Sequence, residues 1–249
     1  MKFDKADVRI TDSPAMAADY AKRNIPYIVV LNEQNRAEAF PSGAYCVEHA
    51  EDINDAYRER VYRRFRGLPW DIAETERLRI REITVEDVPR LYELYRYESV
   101  TRYMEPLFPE MEKEIEYTKA YIENVYKFYG YGMWVIVQKK SGAVIGRVGL
   151  EHKEGFDGLE LGFMLGTAYQ HCGYAYEACR AVLEYGMEYL CVARFYAFIN
   201  EGNIASIRLC ERLGFMKTRH VKLPAMQYDG EKFVNKMVEK EFVCYVYEA

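Results

Sequence analysis

The sequence predicts an α/β (α+β) protein in two parts, the first a small α/β domain that opens as a βαβ unit. Three observations carry this expectation. Short strand-like runs alternate with longer stretches whose apolar residues recur every three or four positions, the pattern of helices that bury one stripe. Turn and cap residues punctuate these segments, with Ser13, Asn203 and Thr84 placed to start helices and Gly67 and Gly214 placed to end them. Half of the 249 residues are hydrophobic, enough for one large core or two unequal ones, and two domains, 1–75 and 76–249, are expected.

In the first domain, residues 8–11 read as a short strand. Ser13-Pro14 supplies an N-cap followed by proline at the first helical position, leading a helix to about Arg23. Residues 27–31 form a second strand, which the intervening helix would place parallel to the first through a right-handed crossover. Pro41-Ser42-Gly43 turns the chain into a third strand at 45–47, and a helix from about Ile53 to Arg66 is stopped by Gly67. Ile53, Tyr57 and Val61 mark the buried side of that helix, while Arg58, Arg60, Arg63, Arg64 and Arg66 are expected as its solvated face. Asp12, at the end of the first strand, suits a turn; a metal role would need acidic companions, and no such motif follows. Residues 70–75 are expected to link the domains, and nothing in this unit declares its role.

The second domain begins with 76–82, which alternates like a half-buried strand, and with Thr84-Val85-Glu86-Asp87, a helix start in the capping-box style. Nine of the 23 tyrosines fall between Tyr92 and Tyr131, but Ile115, Thr118, Ile122, Val125 and Tyr129 keep helical spacing, so most of this material is expected in the core. Residues 134–139, the Lys140-Ser141-Gly142 turn and residues 144–151 read as a hairpin, followed by a glycine-bounded turn and a strand at 159–165.

Gln170-His171-Cys172-Gly173-Tyr174-Ala175 sits where that strand hands over to an amphipathic helix carrying Ala175, Ala178, Cys179, Val182 and Leu183 on one stripe. The first turn of a helix leaves its N–H groups without partners and concentrates positive potential there, so a phosphate binds without a lysine. Gly173 allows close backbone approach, and no Asp or Glu occurs from Leu161 to Tyr176 to repel an anion. A strand at 194–199 follows, then a short helix capped by Asn203 and closed by Leu213-Gly214-Phe215. This QxxGxA run, with its order of elements, resembles the acyl-CoA pyrophosphate loop and second half of the GCN5-related N-acetyltransferases (GNAT), in particular the RimJ/RimL-like branch. The resemblance covers residues 76–249 and implies the GNAT fold, a mixed, twisted sheet with helices on both faces.

The resemblance implies an acyltransferase that uses acetyl-CoA as co-substrate, without a metal, and moves the acetyl group directly to an amine of a small molecule, an amino acid or a peptide N-terminus. It implies a cleft between the 160 and 194 strands, with pantetheine along Phe163, Met164 and Leu165 and the pyrophosphate on Gln170, His171, Cys172, Gly173, Tyr174 and Ala175. Asn203 matches a side chain that contacts pantetheine, with helix capping as its alternative or additional role. The backbone N–H of Met164 or Leu165 would stabilise the tetrahedral oxyanion. An attacking amine must lose a proton, and Glu160 matches the acidic residue that opens this strand in the branch; Glu151 and His152 are reserves. Many members use a tyrosine of the last helix to protonate the departing thiolate. Here that position holds Cys210, and Ser206, which matches a serine proposed for the task in some RimL-like members, is the catalytic candidate in its place. Tyr97, Tyr103 and Glu105 are candidates for the acceptor pocket.

Composition narrows the alternatives. A formal net charge of −5 argues against a nucleic-acid partner, and no window approaches the roughly 20 apolar residues of a membrane span, so a cytoplasmic protein without a membrane partner is expected. Six cysteines without a CxxC pair and four scattered histidines support neither a zinc site nor a disulfide framework. A homodimer is compatible with the N-terminal extension. The alternative to catalysis is an acyl-CoA sensor or assembly module, which the missing tyrosine encourages.

Overall fold

The computed structural model describes Asp4 and residues 7–229 and 232–249, with 225–229 and 232–237 described by backbone alone. Packing divides the chain into two units, Met1–Trp70 and Asp71–Ala249.

The smaller unit contains β1 (Arg9–Thr11), α1 (Pro14–Lys22), β2 (Tyr27–Val30), β3 (Tyr45–Val47) and α2 (Asp55–Phe65). β1 and β3 both run parallel to β2, with Arg9 opposite Tyr27 and Tyr45 opposite Ile28. β2 is therefore central, and both its faces are covered: Ile28 packs with Val61 and Tyr62 of α2, while Tyr27 and Val29 pack with Ala17 of α1. That is why Tyr-Ile-Val-Val is an unbroken apolar run rather than an alternating one. Asn54 caps α2 by accepting from Tyr57 N at 2.9 Å, so the helix starts two residues after Ile53.

Of the arginines expected on a solvated face, Arg66 is exposed, but Arg60, Arg63 and Arg64 turn onto the protein instead. Arg64 is buried and lies 4.1 Å from the ring centroid of Trp70, with Arg60 at 5.2 Å, and Arg63 donates to the carbonyl of Pro69 at 2.9 Å. Guanidinium groups stack on an indole at little desolvation cost, and sequence periodicity is blind to that partner. Asp12 serves the turn through its carbonyl, which accepts from the buried Asn35 Nδ2 at 2.8 Å.

The larger unit is built on eight strands: β4 (Asp71–Glu74), β5 (Leu78–Arg81), β6 (Met133–Gln138), β7 (Val144–His152), β8 (Leu159–Leu165), β9 (Arg194–Ile199), β10 (Met216–Asp229) and β11 (Lys232–Glu248). Their order is β10-β11-β9-β8-β7-β6-β5-β4, and every adjacent pair is antiparallel except β8 and β9. Residues 71–74, expected in a connector, are an edge strand whose Asp71 takes Arg79 in a forked ion pair.

Helices α3 (Val88–Tyr95), α4 (Glu98–Thr101), α5 (Met111–Tyr121) and α6 (Lys127–Tyr129) fill the connection from β5 to β6. A reciprocal capping box of Thr84 and Asp87 starts this region, and Asp87 is pinned further by both terminal nitrogens of Arg81 at 2.7 Å. A wide π-type turn at 122–126 joins α5 to α6 and buries Tyr126. After β8, α7 (Tyr174–Glu188) lays Ala178, Cys179, Val182 and Leu183 on the sheet, and α8 (Ile204–Leu213) ends at Gly214, whose φ of 101° suits only glycine. Among the described residues no helix is long and apolar enough to cross a membrane.

Candidate functional site

The site begins with a pairing that stops. Parallel strands β8 and β9 are in register only at Leu159–Phe195 and Glu160–Tyr196; beyond Glu160 the two strands part. β8 stays in unbroken register with β7 as far as Leu165–Gly146, and Gly166 N donates to Ile145 O at 2.9 Å. Successive strand residues turn their backbone groups to opposite sides, so Met164 is committed to β7 while the amides of Phe163 and Leu165 face the gap. Consistent with this, Leu165 O accepts from Gln170 Nε2 at 3.0 Å, which ties the following loop to the strand end.

That loop delivers the helix start. His171 and Gly173 both have positive φ, 59° and 80°, and the first intrahelical bond of α7 runs from Glu177 N to Gly173 O at 3.1 Å. Among the described residues, the backbone N–H groups of residues 171–176 have no acceptor, as the free first turn of a helix requires. The outside of the loop is held by Arg77, which donates from Nη1 to Cys172 O at 3.0 Å and stacks 4.5 Å from the ring centroid of Tyr174. Gln138 Nε2 donates to the Tyr174 hydroxyl at 2.8 Å.

The gap, the loop and the start of α8 enclose one cavity of about 870 Å³. Of the residues singled out from sequence, Phe163, Met164, Leu165, Gln170, His171, Gly173, Tyr174, Ala175, Asn203 and Ser206 all line it. Cys172 does not; its contribution is the carbonyl held by Arg77. Asn203 caps α8 by accepting from Ser206 N at 3.2 Å, so its capping role is realised. Cys210 is fully buried away from the cavity, and burial pushes its thiol up to about 12.

Several lining residues escaped the sequence reading. Among the described residues Arg102, Arg208 and Arg212 line the cavity against a single acid, Glu98, and Arg212 lies 4.4 Å from the ring centroid of Tyr176. The spacing of Arg208 and Arg212, one turn apart on a helix beginning at an anion loop, was the available signal. Tyr103, expected in the acceptor pocket, lines this cavity and donates to Gly202 O at 2.9 Å, and Ser99 lies 2.8 Å from Thr167; these contacts close the cavity from the α4 side and have no local sequence signature. Tyr97 and Glu105, expected beside Tyr103, do not line the cavity and are exposed.

Glu160 does not line the cavity; it is the last residue of β8 in register with β9 and stands opposite Glu151 across the β7–β8 ladder. Burial pushes the Glu160 carboxyl above the ordinary range, Lys153 at 3.6 Å draws it back, and Glu151 and Glu105 push it up again. Glu151 accepts from the Tyr121 hydroxyl at 3.0 Å, and His152 is exposed at the strand end. A carboxyl raised in this way beside a strand gap holds a proton more tightly than a free one, the direction a general base needs.

A profile of the acetyltransferase (GNAT) domain matches residues 77–216, so the chain belongs to the GNAT acetyltransferases and is an acyltransferase. It is 29% identical over 171 residues to the uncharacterized N-acetyltransferase YnaD of Bacillus subtilis, covering 68% of this chain and 97% of that protein. Among solved structures, it matches a GNAT-family acetyltransferase from Bacillus anthracis with a TM-score of 0.54 at 21% identity, over 70% of this chain and 96% of that one. It also matches RimL, the ribosomal L7/L12 alpha-N-protein acetyltransferase, in complex with coenzyme A, with a TM-score of 0.56 at 16% identity over 72% and 98% of the two chains.

Proposed function

We propose that the larger unit transfers the acetyl group of acetyl-CoA directly to an amine, of a small molecule, an amino acid or a peptide N-terminus. The observation that carries this reading is the row of acceptor-free amides at 171–176, opening onto a cavity whose charged lining is three arginines and one glutamate. A diphosphate is the ligand such a row of donors fits, and Arg208 and Arg212 offer charge for a further phosphate. That RimL, a protein of the same fold, is known with coenzyme A supports the choice.

The remaining residues then take roles by position. The gap-facing backbone groups of Phe163, with Asn203, pair with the amide groups of the pantetheine arm. Of the two donors expected for the oxyanion, the Leu165 amide is the available one, because Met164 is turned toward β7. Glu160 receives the amine proton, directly or through a water, and the free amine adds to the thioester carbon. As the tetrahedral adduct collapses, the carbon–sulfur bond breaks, and Ser206 passes its hydroxyl proton to the thiolate while taking up the proton that the adduct nitrogen loses. The small α/β unit has no assigned part in these steps.

The test is thermal unfolding with and without acetyl-CoA, where ligand at 100 times its Kd adds roughly 2.7 kcal/mol to the folded state. An unchanged unfolding temperature at millimolar acetyl-CoA would remove the basis for the reading.

A further inference from the structure

A second concavity lies on the same unit, between the turn that follows β7 and the strand β10. It encloses about 440 Å³ and is lined by Lys153, Arg219 and Lys222 over an apolar floor that includes Phe156, Val221 and Leu223. Among the described residues its one acidic lining residue is Glu154. Among the described residues neither Arg219 nor Lys222 has an ion-pair partner; Glu241, opposite Lys222 in register, lies 3.8 Å from His220 instead. Two unpaired cations beside a third, on a chain whose net charge is −5, are a local reversal of sign inside a concave surface.

The groove is continuous with the proposed acceptor side. Lys153 Nζ stands 3.6 Å from Glu160 Oε2. Phe156 packs edge-on against Tyr196 and Phe198, with centroids 4.9 and 4.7 Å apart, and Tyr196 is the register partner of Glu160. A molecule whose amine reaches Glu160 therefore extends its next few atoms over Phe156 toward the cations.

We infer that the acceptor carries a carboxylate close to its amine, which Lys153, Arg219 and Lys222 hold in this groove. The inference rests on the acetyl-transfer reading for the identity of the amine, but the groove itself is tested by binding alone. The chemistry is shared by an acidic peptide N-terminus and a free acidic amino acid. Each exposed charge contact contributes modestly, so the preference over a neutral analogue should be about five- to tenfold.

The experiment uses the full chain and two fluorescent hexapeptides with a free N-terminal serine, one with aspartate at its second to fourth positions and the other with asparagine there. Anisotropy at low salt should show the acidic peptide binding about five- to tenfold more tightly, with the advantage shrinking at high salt. In R219A/K222A, whose two positions are exposed, the advantage should vanish while the stabilisation by acetyl-CoA is unchanged. Equal binding of the two peptides to the wild-type chain, or an acidic preference that survives in the double variant, overturns the inference. Competition with free glutamate then separates the sources: displacement at concentrations matching the peptide's assigns the groove to a single amino acid, and none assigns it to a peptide. Failure of acetyl transfer would be read elsewhere, as the missing acetyl-CoA stabilisation.

Discussion

Arg77 and Glu177, 100 residues apart, meet in a forked contact: the Arg77 guanidinium reaches Glu177 Oε2 at 2.6 Å and the Arg77 amide donates to Oε1 at 3.0 Å. Burial opposes the charge on Glu177, but hydrogen bonds from Thr75 and Arg77 outweigh it and hold the carboxyl below its ordinary range. The acid in the first turn of α7 is thereby neutralised from outside the loop, and the same guanidinium fixes Cys172 O.

Arg77→Ala should therefore loosen the anion loop without touching the amine side. Because Arg77 is 43% exposed, about 1 kcal/mol is expected, a several-fold rise in the KM for acetyl-CoA. Steady-state kinetics with both substrates varied checks this; an equal rise in the amine KM would show that the contact supports the whole fold rather than the loop.

Gly173 makes a sharper test. Its φ of 80° lies in the left-handed region, and a Cβ there would stand 3.4 Å from Arg77 Nη2. Gly173→Ala should cost about 1–2 kcal/mol of stability from backbone strain and weaken acetyl-CoA binding in proportion. Gly173→Asp adds a carboxylate facing the free amides and should abolish the acetyl-CoA stabilisation altogether, while circular dichroism still reports a folded chain. Retained stabilisation in the aspartate variant would move the pyrophosphate elsewhere.

What was legible in the sequence follows from distance along the chain. The anion loop is written locally: Gly173, the absence of acids from 161 to 176 and the stripe of α7 lie within one stretch. The parting of β8 from β9 is not, because it depends on register between strands that the whole of α7 separates. The clamp by Arg77, the Tyr103–Gly202 closure and the stacking of Arg64 on Trp70 are likewise pairings between segments, invisible to periodicity. Residues after Phe215 suggested no element, yet β11 pairs with β9 from Val243–Ile199 to Glu248–Arg194, and the sheet supplies the partner the local pattern could not show.

Glu160 gives a prediction in pH with opposite signs for activity and stability. Its carboxyl is raised in the folded chain, so the folded state holds the proton more tightly than the unfolded one. The stability this contributes is complete below the unfolded value of about 4.3 and is lost as pH rises through the folded value. Glu160→Gln removes that loss, and the variant should unfold at a higher temperature than wild type at pH 7.5, with the difference closing at pH 4. Its kcat should fall about 100-fold or more, as expected when a general base is removed. A variant less stable at neutral pH, or one with unchanged kcat, would return Glu160 to the role of a plain strand-edge carboxylate.

The proton for the thiolate separates two residues four positions apart on α8. Cys210 is buried with a thiol raised to about 12, so Cys210→Ala should cost about 1–2 kcal/mol of stability through lost packing and leave kcat within twofold. Ser206 lines the cavity, and it serves the cap of α8 through its backbone N–H, which donates to Asn203 Oδ1, not through its hydroxyl. Ser206→Ala therefore keeps the cap, and any change in rate reports the hydroxyl. A fall in kcat of about 10- to 100-fold with an unaltered unfolding temperature is expected. An unchanged kcat in Ser206→Ala would leave the thiolate to be protonated by solvent, and a fall in Cys210→Ala without loss of stability would mean that the buried thiol reaches the reaction after all.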